Sequence, residues 1–297
     1  MINVVTVHWL SPQWIPAQLE YLERNASAPF RVFASLNGIE DESLRKRFYY
    51  VQDIEIEDHP EKLNILAQVV IEQSKPEDII IFLDGDAFPI QPLQPWLEET
   101  FKRHPLVAVQ RYENCKDTRP HPSFCATTVG FWKELGCDWT PRDWVTETGA
   151  LFLDAGGKLC DQLSENDVDW LPLRRTNTVD LHQLWYAVYG HKIYHHGAGF
   201  RNRVSKVDQV KRPALYKVNH SQGASLGQLS VAAKRNPSLV LTMRPHHVKE
   251  VGLAARRTFL RRFTQRFTKK AEVVSDQVFN RVSSDPSFYR EFDSTLV

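Results

Sequence analysis

The chain has 297 residues, of which 42% are apolar and 25% charged, with 13 Gly and 17 Pro. Such a composition is globular and excludes a collagen, a coiled-coil rod and a mostly disordered chain. With 37 Lys+Arg against 36 Asp+Glu the formal charge is +1, which excludes a chain-wide polyanion binder.

Short β-branched runs alternate with helical periodicity through the first two-thirds of the chain, the pattern of an α/β fold with a mostly parallel sheet covered by helices. Val4 to Val7 reads as a first strand. Pro12 and Pro16 open a helix whose Ile15, Leu19, Leu22 and Ala26 share one face. Arg31 to Leu36 is a second strand, closed by Asn37-Gly38, and Ile54 to Glu57 a short third. Leu63, Leu66, Ala67 and Val70 mark a helical face that ends at Lys75-Pro76. Ile79 to Leu83 lacks alternation, so it is expected to be a central strand buried on both faces. Val107 to Gln110 is another strand, residues 111–148 a long functional loop, Leu181, Leu184, Trp185 and Val188 a helical face, and Lys192 to His195 a strand before a Gly-Ala-Gly turn.

Past about Ser225 the strands give way to basic helical sequence. From Lys249 to Lys270 there are eight Lys+Arg and one Glu, and Phe259, Phe263 and Phe267 recur every four residues. The stripe over residues 249–283 suits an anionic membrane surface, or equally packing against the rest of the protein. No apolar run approaches the roughly 20 residues that span a bilayer. The opening residues lack the pattern of a secretion signal, and Cys115, Cys125, Cys137 and Cys160 form no CxxC pair. A cytoplasmic protein with reduced thiols is expected, peripheral on the inner face of the membrane if the basic stripe docks there.

The buried strand runs straight into Asp84-Gly85-Asp86. Ligands of open α/β sheets bind beyond the carboxyl ends of strands, and two adjacent carboxylates in a crevice repel unless a cation neutralises them. Asp84 and Asp86 are therefore candidate metal ligands, although Asp-Gly is also an ordinary strand terminator.

The stretch Phe82-Leu83-Asp84-Gly85-Asp86-Ala87-Phe88-Pro89-Ile90 resembles the DxD region of bacterial GT-A glycosyltransferases, a likeness that covers about the first 200 residues. It implies a Rossmann-like catalytic domain, placed over residues 1–224 ahead of the mainly helical extension that the change in sequence character marks over 225–297, and transfer of a sugar from a UDP- or GDP-linked donor. Thr6, His8, Asn37, Lys62 and Asn64 would then bind the donor, as would Asp84. Asp86, Asp84 and His195 would hold Mn²⁺ or Mg²⁺. Adjacent strand residues face opposite ways, so one of His195 and His196 would meet the ion, and similar sequences favour His195. Arg201 can fork onto a phosphate. Asp86 would act in catalysis by holding the ion that stabilises the leaving diphosphate. An inverting enzyme needs a carboxylate base and a retaining one with front-side attack does not; Glu147 matches the position of that base, with Asp143 and Asp154 as competitors.

Trp9, Trp14, Trp132, Trp139 and Trp144 are sugar-stacking candidates or core residues. The acceptor implied is a glycan or glycolipid, in surface polysaccharide synthesis, and no nucleic-acid module is present. Two alternatives stand beside the transferase. One is a non-catalytic sugar-nucleotide or glycan-binding scaffold of the same fold. The other is a DxD phosphatase with Asp84 as nucleophile, disfavoured by Phe88 where that motif wants Thr or Val.

Overall fold

The computed structural model describes residues 1–52, 54–113, 116–145, 147, 151–177, 187–197 and 276–285. In chain order the elements are β1 (Ile2–Trp9), α1 (Trp14–Asn25), β2 (Phe30–Asn37), α2 (Glu42–Arg45), β3 (Tyr50–Gln52) and α3 (His59–Gln73). They continue with β4 (Ile79–Asp84), β5 (Ala87–Pro89), α4 (Gln94–Phe101), β6 (Leu106–Gln110), β7 (Pro120–Thr128) and α5 (Val129–Glu134). The last are β8 (Arg142–Val145), β9 (Leu151–Asp154), α6 (Gly157–Glu165), β10 (Leu171–Leu173), β11 (Ala187–Tyr189) and β12 (Ile193–His195). All belong to the unit that takes in Met1–Val204; of a second unit, Ser205–Asn280, only residues 276–280 are described, and they are helical. The boundary expected at residue 224 and the Phe259 to Phe267 stripe lie outside the described residues.

Seven strands form one sheet in the order β10-β6-β7-β4-β1-β2-β3. β1 runs parallel to β2 and β4, β2 to β3 and β10 to β6, while β7 opposes both its neighbours. The fold is thus mixed α/β with a largely parallel central sheet. β4 is its middle strand, and the absence of alternation in Ile79 to Leu83 follows from burial on both sides. Ile79, Ile81 and Leu83 pack with Ile15, Leu19 and Leu22 of α1. Ile80 and Phe82 pack on the other side with Leu63, Leu66, Ala67 and Val70 of α3. Each of the Ile, Leu, Val and Phe side chains contributes roughly 1.5–3 kcal/mol on burial. Asp58 starts α3 as its N-cap, accepting from the Glu61 N–H, and Pro60 occupies the first turn, where its missing N–H does no harm.

Three expectations from the sequence are corrected. The third strand is Tyr50–Gln52, not Ile54 to Glu57: its pairing with β2 ends at Ser35 opposite Gln52, and beyond it Ile54 is exposed while Ile56 is buried. The stretch 111–148 is not one long loop, since it contains β7 between β6 and β4. Pro120 and Pro122 masked that strand. The β6 register jumps from Cys125 opposite Ala108 to His121 opposite Val109, so Pro122 sits in an irregularity where no ladder N–H is needed. Third, Val188 lies in β11, paired with Tyr194, whereas the helical face expected at Leu181 to Trp185 lies outside the described residues.

Trp14, Trp132 and Trp139 are buried core residues, with the rings of Trp132 and Trp139 at 4.5 and 5.2 Å from Phe82. Gly156, at φ +89°, turns the chain from β9 into α6; a Cβ there would lie 2.1 Å from the Pro120 carbonyl oxygen, so the start of β7 and the start of α6 can meet only at a glycine.

Candidate metal centre

The carboxyl end of β4 carries Asp84, and Gly85 and Asp86 turn the chain into β5. β5 pairs antiparallel with β12 so that His195 stands opposite Ala87, and the His196 N–H donates to the Asp86 carbonyl at 3.0 Å. That pairing brings a histidine from far along the chain onto the acidic turn. His195 Nε2 lies 3.5 Å from Asp84 Oδ2 and 3.4 Å from Asp86 Oδ1. One ligand atom from each of Asp84, Asp86 and His195 falls within 4.8 Å of the others. From the other side, His59 Nε2 on the first turn of α3 is 3.7 Å from Asp84 Oδ1.

Burial pushes the Asp84 carboxyl up to about 6; His195 opposes that shift and the Asp86 charge adds to it. Burial pulls the His195 imidazole down, but Asp86 and then Asp84 more than offset it, leaving it raised. One imidazole thus lies between a half-buried carboxylate, Asp84, and a buried one, Asp86. Two oxygen donors and one imidazole nitrogen form a donor set that fits a divalent ion such as Mn²⁺ or Mg²⁺. A bound ion would supply Lewis-acid stabilisation to an anionic leaving group.

Of the other residues singled out in the sequence, Thr6 and His8 are fully buried on β1, both bonded to Gln18 Oε1 at 3.1 Å. Asn37 Nδ2 donates to the Ile56 carbonyl at 2.7 Å. Lys62 is 2% exposed; burial lowers its ammonium to about 8, partly countered by Asp58, Glu55 and Glu57. Asn64 Nδ2 donates to Asp138 Oδ1 at 2.7 Å, and its Oδ1 accepts from the Trp139 N–H at 2.9 Å. Its amide is therefore committed to the fold. Glu147 is exposed, accepting from the Tyr112 hydroxyl at 3.0 Å with Lys116 Nζ at 3.5 Å. Asp154, by contrast, is pushed up by burial and feels the charges of Arg119 and Arg111. His196 turns into the core, its ring centroid 4.5 Å from that of Trp14 and its Nδ1 3.0 Å from the Tyr194 hydroxyl. Arg201 lies outside the described residues.

Several site residues were not read from the sequence. His59 follows the N-cap Asp58, and the cap together with Pro60 was the available signal for a helix beginning there. Gln18 falls between Ile15 and Leu22 on the apolar stripe of α1, and a lone amide in such a stripe signals a buried polar contact. Arg111 and His121, at the ends of β6 and β7, gave no periodic signal. The Arg111 Nη1 lies 3.3 Å from His121 Nε2, and the His121 ring is 6.4 Å from that of His195.

No protein-family model and no curated protein matches the chain. Among solved structures, S. aureus TarS 1–349 aligns at a TM-score of 0.36 with 13% identity over 46% of this chain and 50% of that one. The same TarS fragment in complex with UDP-GlcNAc aligns at 0.34 with 14% identity, over 46% and 48% of the two chains. The galactosyltransferase LgtC, in complex with donor and acceptor sugar analogs, gives 0.32 and 12% over 44% and 59%. The matched region spans about half the length of these structures. At such scores the likeness is partial, and the function is read from the site itself.

Proposed function

We propose that the chain is a divalent-metal-dependent glycosyltransferase that moves a sugar from a nucleoside-diphosphate donor to a glycan or glycolipid. The observation that carries this reading is the juxtaposition of Asp84, Asp86 and His195 beyond the carboxyl end of the central strand, where α/β sheets bind ligands. Asp86 and His195 hold the ion, and Asp84 holds it directly or through water. Lys62 and, outside the described residues, Arg201 are the proposed diphosphate contacts, and Asn37 is a proposed donor contact; the Asn64 amide is spent on Asp138 and the Trp139 N–H, so its proposed part is to brace that side. Thr6 and His8 are fully buried and bonded to Gln18, so their proposed part in the donor site is indirect. Glu147 is the proposed base of an inverting reaction, with Asp154 as its rival on grounds of burial. Among the described residues no helix is long and apolar enough to cross a membrane; docking of residues 249–283 on anionic lipid is part of the proposal and is tested by vesicle flotation.

Turnover of UDP- and GDP-sugars, including donor hydrolysis, is measured with Mn²⁺, with Mg²⁺ and with chelator, before and after Asp86→Ala. Loss of turnover by about 10²-fold or more in chelator and in the variant is expected, the scale of removing an electrostatic stabiliser of the transition state. Full activity in either condition excludes the metal role. Donor binding with neither transfer nor hydrolysis would favour a binding scaffold instead.

A further inference from the structure

The acidic turn is held from beneath by one side chain. Gln18, on α1, is 0% exposed, and its Nε2 donates to the Asp84 carbonyl at 2.8 Å and to the Ala87 carbonyl at 2.9 Å. Those two carbonyls bracket Gly85 and Asp86. Because carbonyls only accept, the orientation of the amide is determined, and Oε1 is left to accept. It does so from the Thr6 hydroxyl at 3.1 Å and from His8 Nε2 at 3.1 Å. Both N–H groups and both lone-pair positions of the carboxamide are therefore used. His8 must carry its proton on Nε2 to donate there, and burial lowers its imidazole to about 4, so it stays neutral near pH 7.

We propose that Gln18 is a positioning residue of the metal centre: it clamps the Asp84–Ala87 turn to α1 and β1 so that both carboxylates meet the histidine delivered by β12. The proposal rests on the metal-dependent reading above. The turn is thereby pinned from two sides, by the Gln18 amide and by the His196 N–H on the Asp86 carbonyl at 3.0 Å. Deleting the amide leaves two carbonyls without their donor and lets the turn relax, which misplaces ligand atoms that a divalent ion needs at defined distances. Thr6 and His8 act through Gln18, since their side chains meet its oxygen.

The test is direct titration with Mn²⁺ and no nucleotide, following the electron paramagnetic resonance signal of the free ion, on the full chain. Gln18→Met keeps the length of the side chain and removes both donors; its Kd for Mn²⁺ is expected to rise about tenfold or more, the usual scale for losing an outer-shell partner. Leu22→Ala, a fully buried position on the same helix, loosens the core and is expected to leave Kd unchanged while lowering stability. Equal Kd values for Gln18→Met and the unsubstituted chain overturn the proposal, and so does an equal rise in Leu22→Ala, which would make the effect general loosening. Should Gln18→Met fail to fold, Thr6→Val is read in its place: loss of one hydrogen bond to Oε1 is expected to raise Kd about threefold, and no change overturns the clamp. If the unsubstituted chain does not bind Mn²⁺, the metal reading itself fails, and the clamp with it.

Discussion

Helix α3 borders two acidic sites that differ in how their charge is met. Near its middle, Asn64 reaches Asp138, whose Oδ1 accepts from Asn64 Nδ2 at 2.7 Å and from the Thr140 N–H and hydroxyl at 2.6 Å each, while Oδ2 takes Lys158 Nζ at 2.6 Å. Burial pushes that carboxyl up, but Lys158, Thr140 and Asn64 outweigh it and hold it at about 2. At the first turn of the same helix, His59 faces Asp84, which burial pushes up to about 6. One carboxylate has a lysine, an amide and a hydroxyl; the other shares imidazoles with a second carboxylate. A satisfied acid braces the fold, whereas a strained acidic pair is a place for a cation.

The largest effect is expected at Asp86. Asp86→Ala is expected to abolish Mn²⁺ binding and cut donor turnover by about 10²-fold or more, while the metal-free melting temperature holds or rises because a like charge has gone. A large fall in metal-free stability would show instead that Asp86 braces the fold. Asp138→Ala is expected to do the reverse, destabilising by about 1–3 kcal/mol because its donors lose their acceptor, with the Mn²⁺ Kd unchanged; denaturant melts and metal titration read the two quantities.

The acid limb of stability sharpens the same contrast. The folded-state pKa of Asp138, about 2, lies below its ordinary 3.8, so between those values the unfolded chain binds more protons. Its contribution is full above about pH 4 and is lost as pH falls through the folded value. Melts from pH 5 to pH 2 should therefore show a slope that Asp138→Ala reduces, and equal slopes would remove the proposed role of the Lys158 pair. The smallest effect is expected at Asn64→Ala, a loss of about 1 kcal/mol. A change in donor affinity at unchanged stability would make Asn64 a donor contact rather than a brace.

Much of this was legible in local sequence. The i, i+4, i+7 spacing of Ile15, Leu19 and Leu22, and the unbroken run Ile79 to Leu83, named the helix and the buried strand because burial on a given face follows directly from periodicity. Asp84 and Asp86 were legible for the same reason, as charges at the end of such a run, and His195 through a resemblance rather than through spacing. β7 was hidden because its two prolines are tolerated only in the irregular register that β6 provides. His59, Arg111 and His121 were hidden because isolated polar residues carry no period.

The chain's pattern of apolar residues determined an α/β sheet with two acidic groups at the mouth of its central strand. Only the tertiary structure decided what surrounds them: the antiparallel pairing of β12 with β5 that seats His195, the inward turn of His196, and the Gln18 amide behind the turn. Periodicity is a property of neighbours in sequence, whereas a ligand set and its clamp depend on strand register and helix docking, which bring distant residues together within hydrogen-bonding reach.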